Sequence, residues 1–235
     1  MGTEAISPWM TRVIVGGAEL DGFEQPTPAS SVRLLLPSEG SDLVIPTWAG
    51  NEFLLPDGSR PVIRTLTPRR FLPDRRELHL DIVHHDGGAL TPWARSALAG
   101  EASDGAVSGP GRGYGIPADA DSFLLVGDET AVPAICQLLE HIPDVPIQTL
   151  VGVRHPEAVV DLHRDVDEQW VHIESGRDLG PEAVARLASR TIDDGLHIWA
   201  AGEAAAVQAI RRHLFSDRGV PRDRTTIRGY WKAGR

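Results

Sequence analysis

The chain has 235 residues, of which 41% are hydrophobic and 24% charged, with a formal net charge of −10. Such a composition describes a globular protein able to bury a sizeable core, in one large domain or two small ones. The acidic balance argues against a general nucleic-acid binder, which needs a basic surface, and no run approaches the roughly 20 apolar residues of a membrane span.

In chain order, the opening Met1-Gly-Thr-Glu-Ala-Ile-Ser-Pro8 lacks the basic region and apolar stretch of a signal peptide, so the expected compartment is the cytoplasm. Short β-rich runs follow at 10–16, 31–36, 42–45, 61–66, 77–83 and 106–109, separated by Pro, Gly and Asp. Several short strands spaced this closely predict an antiparallel barrel or sandwich. A helix over 92–98 interrupts them, with Thr91 as N-cap and Pro92 at the first helical position.

After Pro117-Ala-Asp-Ala-Asp121, the expected junction, the rhythm changes. Strands are predicted over 122–126, 147–153, 170–173, 196–201 and 225–230, with helices over 131–141, 181–189 and 203–215. This alternation predicts βαβ units and a parallel sheet. The single cysteine, Cys136, falls in the first of these helices and excludes an intrachain disulfide or a cluster held by four thiolates.

Four segments carry chemistry. Arg64-Thr-Leu66-Thr67-Pro-Arg69 ends a predicted strand and offers a cation for a pyrophosphate, an apolar side chain for a flat ring and a hydrogen-bonding hydroxyl. A strand end with an ordinary surface arginine is the competing reading. Residues 81–94 run from a strand through Gly87-Gly88 to a helix start, where free N–H groups and the dipole favour a diphosphate. His84 and His85 are adjacent and would face opposite sides of a strand, so no metal is expected there. Gly127-Asp128-Glu129-Thr130 and Gly202-Glu203 each join a strand to a helix, at ends where parallel sheets bind nucleotides.

In the last segment, Tyr230-Trp231-Lys232, two rings stand beside the only lysine of the chain. Lys232 with Arg69, Arg70, Arg75 and Arg76 would form a local basic pocket for an anionic ligand on an acidic protein. In the competing reading the Tyr–Trp pair packs on the sheet and the arginines are solvated. No Ser–His–Asp set, HExxH or Walker loop is present, and no catalytic acid or base is assigned.

These segments resemble those of the siderophore-interacting proteins, flavin- and nicotinamide-dependent ferric-siderophore reductases. Residues 127–134 are similar to the family's Gly-Asp-Glu-Thr-Ala-x-Pro-Ala, and residues 201–204 to its Ala-Gly-Glu-Ala. Residues 64–69 resemble its Arg-x-Tyr-Thr-Pro-Arg, with Leu66 where Tyr is usual. His85, Gly88, Trp93 and Ala94 match its second flavin segment, with Thr91 close to a family serine and with Asp86, Ala89 and Leu90 as departures.

The resemblance implies the layout of the ferredoxin-reductase superfamily. Residues 1–117 would be an FAD-binding antiparallel β-barrel, and residues 118–235 an NAD(P)H-binding α/β domain with a parallel sheet. Arg64, Leu66, Thr67, His85, Gly88, Thr91, Trp93 and Gly109 would serve FAD. Gly127, Asp128, Glu129, Thr130, Gly202 and Glu203 would receive the nicotinamide cofactor, and Trp231 would cap the flavin. Arg154 would pair with a 2′-phosphate and favour NADPH; an exposed arginine without that role fits equally well.

The implied partner is a ferric siderophore or other ferric chelate held by Lys232, Arg69 and Arg70, with no nucleic acid or membrane, by a monomer. The implied activity is NAD(P)H-driven reduction of Fe(III) with release of Fe(II) in the cytoplasm. Two alternatives stand beside it: a flavin reductase with another acceptor, and a module that binds a ferric chelate or nucleotide without turnover.

Overall fold

The computed structural model describes residues 2–24, 26–38, 40–85, 87–100, 104–174 and 177–234, so Asp86 lies outside the described residues. The chain divides into two compact units, Met1–Gly115 and Ile116–Arg235.

The first unit holds β1 (Gly2–Ser7), β2 (Met10–Gly16), β3 (Val32–Leu36), β4 (Thr47–Trp48), β5 (Phe53–Leu54), β6 (Val62–Leu66), β7 (Arg70–Leu72), β8 (Glu77–Val83), α1 (Leu90–Leu98) and β9 (Ala106–Ser108). Its strands pair as β1-β2-β8-β7, β6-β3-β9 and the hairpin β4-β5, antiparallel throughout. Alternation sets the pairing. Val13 and Val15, Leu78, Leu80 and Ile82, and Val32, Leu34 and Leu36 each fall on one face of their strand and meet Trp93 and Ala94 of α1 in a single core. Burying each large side chain is worth roughly 1.5–3 kcal/mol, and a one-residue slip would turn a whole set to water.

Several expectations are corrected here. Residues 42–45 form no strand: Pro46 follows them, and Val44 and Ile45 stay exposed. The hairpin forms just beyond, where Gly50 takes the left-handed turn at φ 82°. β1 escaped notice because its polar sequence lies half-exposed beside β2, and β7 because it is three residues long. Thr91 is not the N-cap of α1. The helix starts two residues earlier with Ala89 in that place, and Thr91 Oγ1 instead accepts the backbone N–H of His85 (3.1 Å).

The second unit holds β10 (Ser122–Asp128), α2 (Val132–His141), β11 (Ile147–Val153), β12 (Asp167–His172), α3 (Gly180–Ala188), β13 (Leu196–Glu203), α4 (Ala204–Arg212) and β14 (Thr225–Trp231). The strand order is β12-β11-β10-β13-β14, with every neighbouring pair parallel. Leu124 and Val126 of β10 and Ile198 and Ala200 of β13 pack with Ala183, Leu187, Ala206 and Ile210 of α3 and α4. On the other face, Gly127 lies against Ala131 and Ile135. The chain runs outward from β10 to β12, then crosses back to β13, so the topological switch lies between β10 and β13. Their carboxyl ends flank the place where open parallel sheets bind ligands.

The helix expected over 203–215 ends at Arg212, followed by a π turn over His213–Asp217. Glu203 stays in the strand because β14 continues to pair there, Glu203 opposite Trp231. Among the described residues no helix is long and apolar enough to cross a membrane.

Candidate functional site

Two glycines let the ends of β10 and β13 close on each other. A Cβ on Gly127 would lie 2.9 Å from the Ala201 carbonyl oxygen, and one on Gly202, at φ 146°, 2.6 Å from Asp128 Oδ2. Asp128 fills the space they leave. Its Oδ1 accepts the backbone N–H (3.0 Å) and hydroxyl (2.5 Å) of Thr130, capping the turn that opens α2. Its Oδ2 accepts the backbone N–H of Glu203 (2.8 Å) and the indole N–H of Trp231 (2.9 Å). Four donors occupy the capacity of one carboxylate, and Asp128 is only 6% exposed.

Glu203 repeats the pattern at α4. Its Oε2 accepts the N–H groups of Ala205 and Ala206, and its Oε1 that of Ala233 (3.2 Å). Burial acts to raise its pKa, but the backbone donors Ala233, Ala206, Ala205 and Ala204 together outweigh it and hold the carboxyl below the usual range. Glu129 shows the opposite balance. Burial pushes its carboxyl up and the nearby Asp128 adds to this, while the Arg154 backbone N–H it accepts and the Arg154 charge offset only part. Asp128, Glu129 and Glu203, expected as cofactor contacts, thus turn their carboxylates to the protein's own amides.

Tyr230 and Trp231 lie where the pairing of β13 and β14 shifts register, Gly202 opposite Gly229 and Glu203 opposite Trp231. Tyr230 packs edge-on against Trp199 (6.4 Å between ring centres), which bears out the packing reading for that ring. Trp231 turns to Asp128 and carries the guanidinium of Arg154 over its face, 5.0 Å from the ring centre. The stack was not foreseen, and no local pattern could reveal it, because the two residues end separate strands. Lys232 follows, exposed.

In the first unit, β6 sets Arg64 opposite Leu34 and Leu66 opposite Val32. Both therefore share the face that the core residues of β3 occupy, and both remain half-buried. Arg64 Nη1 donates to the Ile63 carbonyl (2.9 Å). Thr67 is buried just past the strand end. Arg69 is 6% exposed, its N–H bonded to the His79 carbonyl (2.8 Å). Its neighbours Arg70, Arg75 and Arg76 are exposed.

The turn into α1 is open. Gly87 and Gly88 adopt φ of 100° and 80°, and a Cβ on Gly87 would meet nothing within 4 Å among the described residues. No side chain among the described residues caps the N-terminus of α1. Thr91 anchors the turn through His85, and Trp93 supports it from the core with its indole N–H donating to the Asp104 carbonyl (3.0 Å). Trp93 is thus a core residue and not a surface contact. Gly109, at φ 129°, approaches the Ser31 carbonyl so closely that a Cβ would lie 3.2 Å away. His84 is buried and hydrogen-bonded through Nε2 to Thr11 Oγ1 (2.9 Å), while His85 is exposed, so the two do not converge.

A cavity of about 520 Å³ opens at the amino-terminal edge of the parallel sheet, between Ser122, Ile147, Arg164 and Asp167. Its arginine is committed to the carbonyls of Leu139, Ile142 and Pro143. It also lies at the end of the sheet opposite to the one that parallel sheets use for ligands.

Comparison with known proteins agrees with this architecture. The profile of the siderophore-interacting FAD-binding domain matches residues 1–113, and that of the siderophore-interacting protein matches residues 120–234. The chain is 32% identical to the NADPH-dependent ferric-chelate reductase of Escherichia coli K12, over 98% of this chain and 90% of that protein. It superposes on the crystal structure of a siderophore utilization protein from T. fusca with a TM-score of 0.83, at 31% identity, covering 100% of this chain and 91% of that one. A likeness to the ferredoxin reductase of carbazole 1,9a-dioxygenase, at 17% identity and TM-score 0.65 over 98% of this chain and 67% of that one, shows the shared fold alone. With a profile over each unit and a relative above 30% identity along nearly its whole length, the chain belongs to the siderophore-interacting protein family.

Proposed function

We propose that the protein is an FAD-dependent reductase that takes electrons from NAD(P)H and passes them to Fe(III) held in a siderophore or similar chelate, releasing Fe(II) in the cytoplasm. The balance is one NAD(P)H and two Fe(III) giving NAD(P)+, one proton and two Fe(II). Bound FAD supplies the exchange between two-electron and one-electron chemistry that this balance requires.

The observation that carries the reading is the open turn at α1. Its first-turn amides have no side-chain cap among the described residues, and the glycine-lined approach at Gly87 leaves room beside them. That combination fits a pyrophosphate. Thr91 holds the turn by accepting from His85, Trp93 braces it from the core, and Arg64 and Leu66 stand on the neighbouring sheet of the same unit. The carboxyl edge of β10 and β13 is the counterpart for the nicotinamide cofactor, and exposed Lys232 in the second unit and exposed Arg70 in the first each offer a cation to the chelate. The relative named as an NADPH-dependent ferric-chelate reductase supports the same assignment.

One observation favours a second reading. Leu66 packs against the core and offers no aromatic face, as a module that binds a chelate without turnover would tolerate. Stepwise addition of FAD to the purified protein separates the two. The reductase should retain about one flavin per chain after free flavin is removed, and NAD(P)H should bleach it under argon. Colourless protein at saturating FAD would overturn the reductase reading in favour of the binder.

A further inference from the structure

Asp128, Glu129 and Glu203 stand together at the carboxyl edge of β10 and β13, each at most 7% exposed. Their charges are unequally held. Asp128 accepts from four donors: the N–H and hydroxyl of Thr130, the N–H of Glu203 and the indole N–H of Trp231. Glu203 accepts from three backbone N–H groups, those of Ala205, Ala206 and Ala233. Glu129 accepts from one among the described residues, the N–H of Arg154. Donors to a carboxylate stabilise its charged form, so the buried carboxylate with fewest donors is the one most readily neutralised by a proton.

The surroundings of Glu129 add to this inequality. Its turn, Glu129–Ala131, packs against β10, β11, β13 and α2. β10 ends on Asp128 and β13 on Glu203, both of like charge. β11 is followed by Arg154, whose guanidinium lies over the ring of Trp231, 5.0 Å from its centre. α2 opens Val132-Pro133-Ala134 and brings no charge to its first turn. Burial and then Asp128 push the Glu129 carboxyl up, and the N–H and charge of Arg154 offset only part of this. An anion arriving at the edge adds negative charge where little water screens it, and repulsion there is strong. The carboxylate least held by donors is the one that responds.

We propose, on the nucleotide use assigned above, that Glu129 is a proton acceptor coupled to nucleotide binding. When the anionic nicotinamide nucleotide occupies the carboxyl edge of this sheet, the Glu129 carboxylate takes one proton from solvent, and it returns that proton when the nucleotide leaves. An O–H bond forms on Glu129 and no electron moves, so the overall balance of the reduction is unchanged. Asp128 and Glu203 stay charged throughout.

Calorimetric titration of the FAD-loaded full-length protein with NADP+, in buffers of different ionisation enthalpy across a pH series, tests it. Subtracting the proton count of Glu129→Gln from that of wild type removes any proton exchanged by the 2′-phosphate, whose second pKa is about 6. The difference should be a net uptake that peaks between the free and bound pKa of the carboxyl and vanishes on either side. The two proteins should bind equally in acid, where Glu129 is protonated with or without nucleotide. At high pH wild type should bind more weakly, by about tenfold for each pH unit by which the nucleotide lifts the carboxyl. Glu203→Gln, which removes a carboxylate held by three amides, should keep the wild-type uptake. Infrared difference spectra of wild type should show a protonated-carboxyl band on nucleotide binding, and its absence across the pH series would overturn the proposal whatever the variants do. Equal proton counts in wild type and Glu129→Gln at every pH would also overturn it, while leaving the functional reading intact. A wild-type protein that binds no nucleotide would overturn both.

Discussion

Glu203 and Ala233 are joined by a hydrogen bond from the Ala233 N–H to Glu203 Oε1 (3.2 Å), while Oε2 of the same carboxylate accepts from the first turn of α4. One side chain thus caps a helix and ties down the segment that follows β14. Glu203→Gln leaves a single acceptor oxygen for these donors and should cost about 1–2 kcal/mol.

That loss should depend on pH. Folding lowers the pKa of Glu203, so its contribution is complete above the unfolded value of about 4.3 and disappears as pH falls through the lower folded value. Thermal melts of wild type and Glu203→Gln should differ by a constant gap above about pH 5 and converge in acid. A gap that persists undiminished in acid would show that the carboxylate charge is not what the amides hold.

Glu129 should behave in the opposite sense. Its pKa is raised by burial and by Asp128, so its contribution is complete below the unfolded value and is lost as pH rises through the folded one. Glu129→Gln keeps an oxygen for the Arg154 N–H and removes the buried charge. The variant should match wild type near pH 4 and melt higher than wild type above neutrality, by about 2–4 °C for each kcal/mol relieved. A lower melting temperature at pH 8 would contradict it.

Two glycine substitutions separate strain from collision. Gly202→Ala combines φ 146° with a Cβ 2.6 Å from Asp128 Oδ2, so it must break the junction of β10, β13 and Trp231. Gly87→Ala, at φ 100° with nothing within 4 Å among the described residues, carries conformational strain. The first should destabilise by more than about 3 kcal/mol and the second by about 1–2 kcal/mol, read from denaturant melts. Equal losses would mean that the Asp128 pocket yields.

In the first unit, Asp81 is 8% exposed and is held by Arg12 directly opposite it, through Nε at 2.7 Å and Nη2 at 2.9 Å. Arg12→Ala leaves that carboxylate buried without its cation and should cost about 3–5 kcal/mol. The double variant with Asp81→Asn should recover part of the loss in urea melts, and no recovery would show that packing of the arginine stem matters more.

The parallel strands are legible in the sequence because buried strands read as short apolar runs bounded by turn residues; β11 was expected over 147–153 and lies at Ile147–Val153. The hairpin at 47–54 and β7 were illegible because each is only two or three residues long and acquires its identity from its partner. At the site, the glycine turns announced where β10 and β13 end. The roles of Asp128 and Glu203 did not show, because a carboxylate after a glycine looks the same whether it faces a ligand or a tryptophan 103 residues away. Arg69 and Arg70 illustrate the same limit: identical neighbours in sequence, one buried in the bend before β7 and one exposed at the start of that strand.

The most direct measurement is anaerobic and uses a ferric chelate as the acceptor. FAD-loaded protein is bleached with NADPH and mixed with a ferric catecholate siderophore in the presence of a chromogenic chelator specific for Fe(II). The expected result is return of the flavin absorbance together with about two Fe(II) for each NADPH consumed. Flavin that stays bleached, with no Fe(II) formed, would contradict the assignment of this protein as a ferric-chelate reductase.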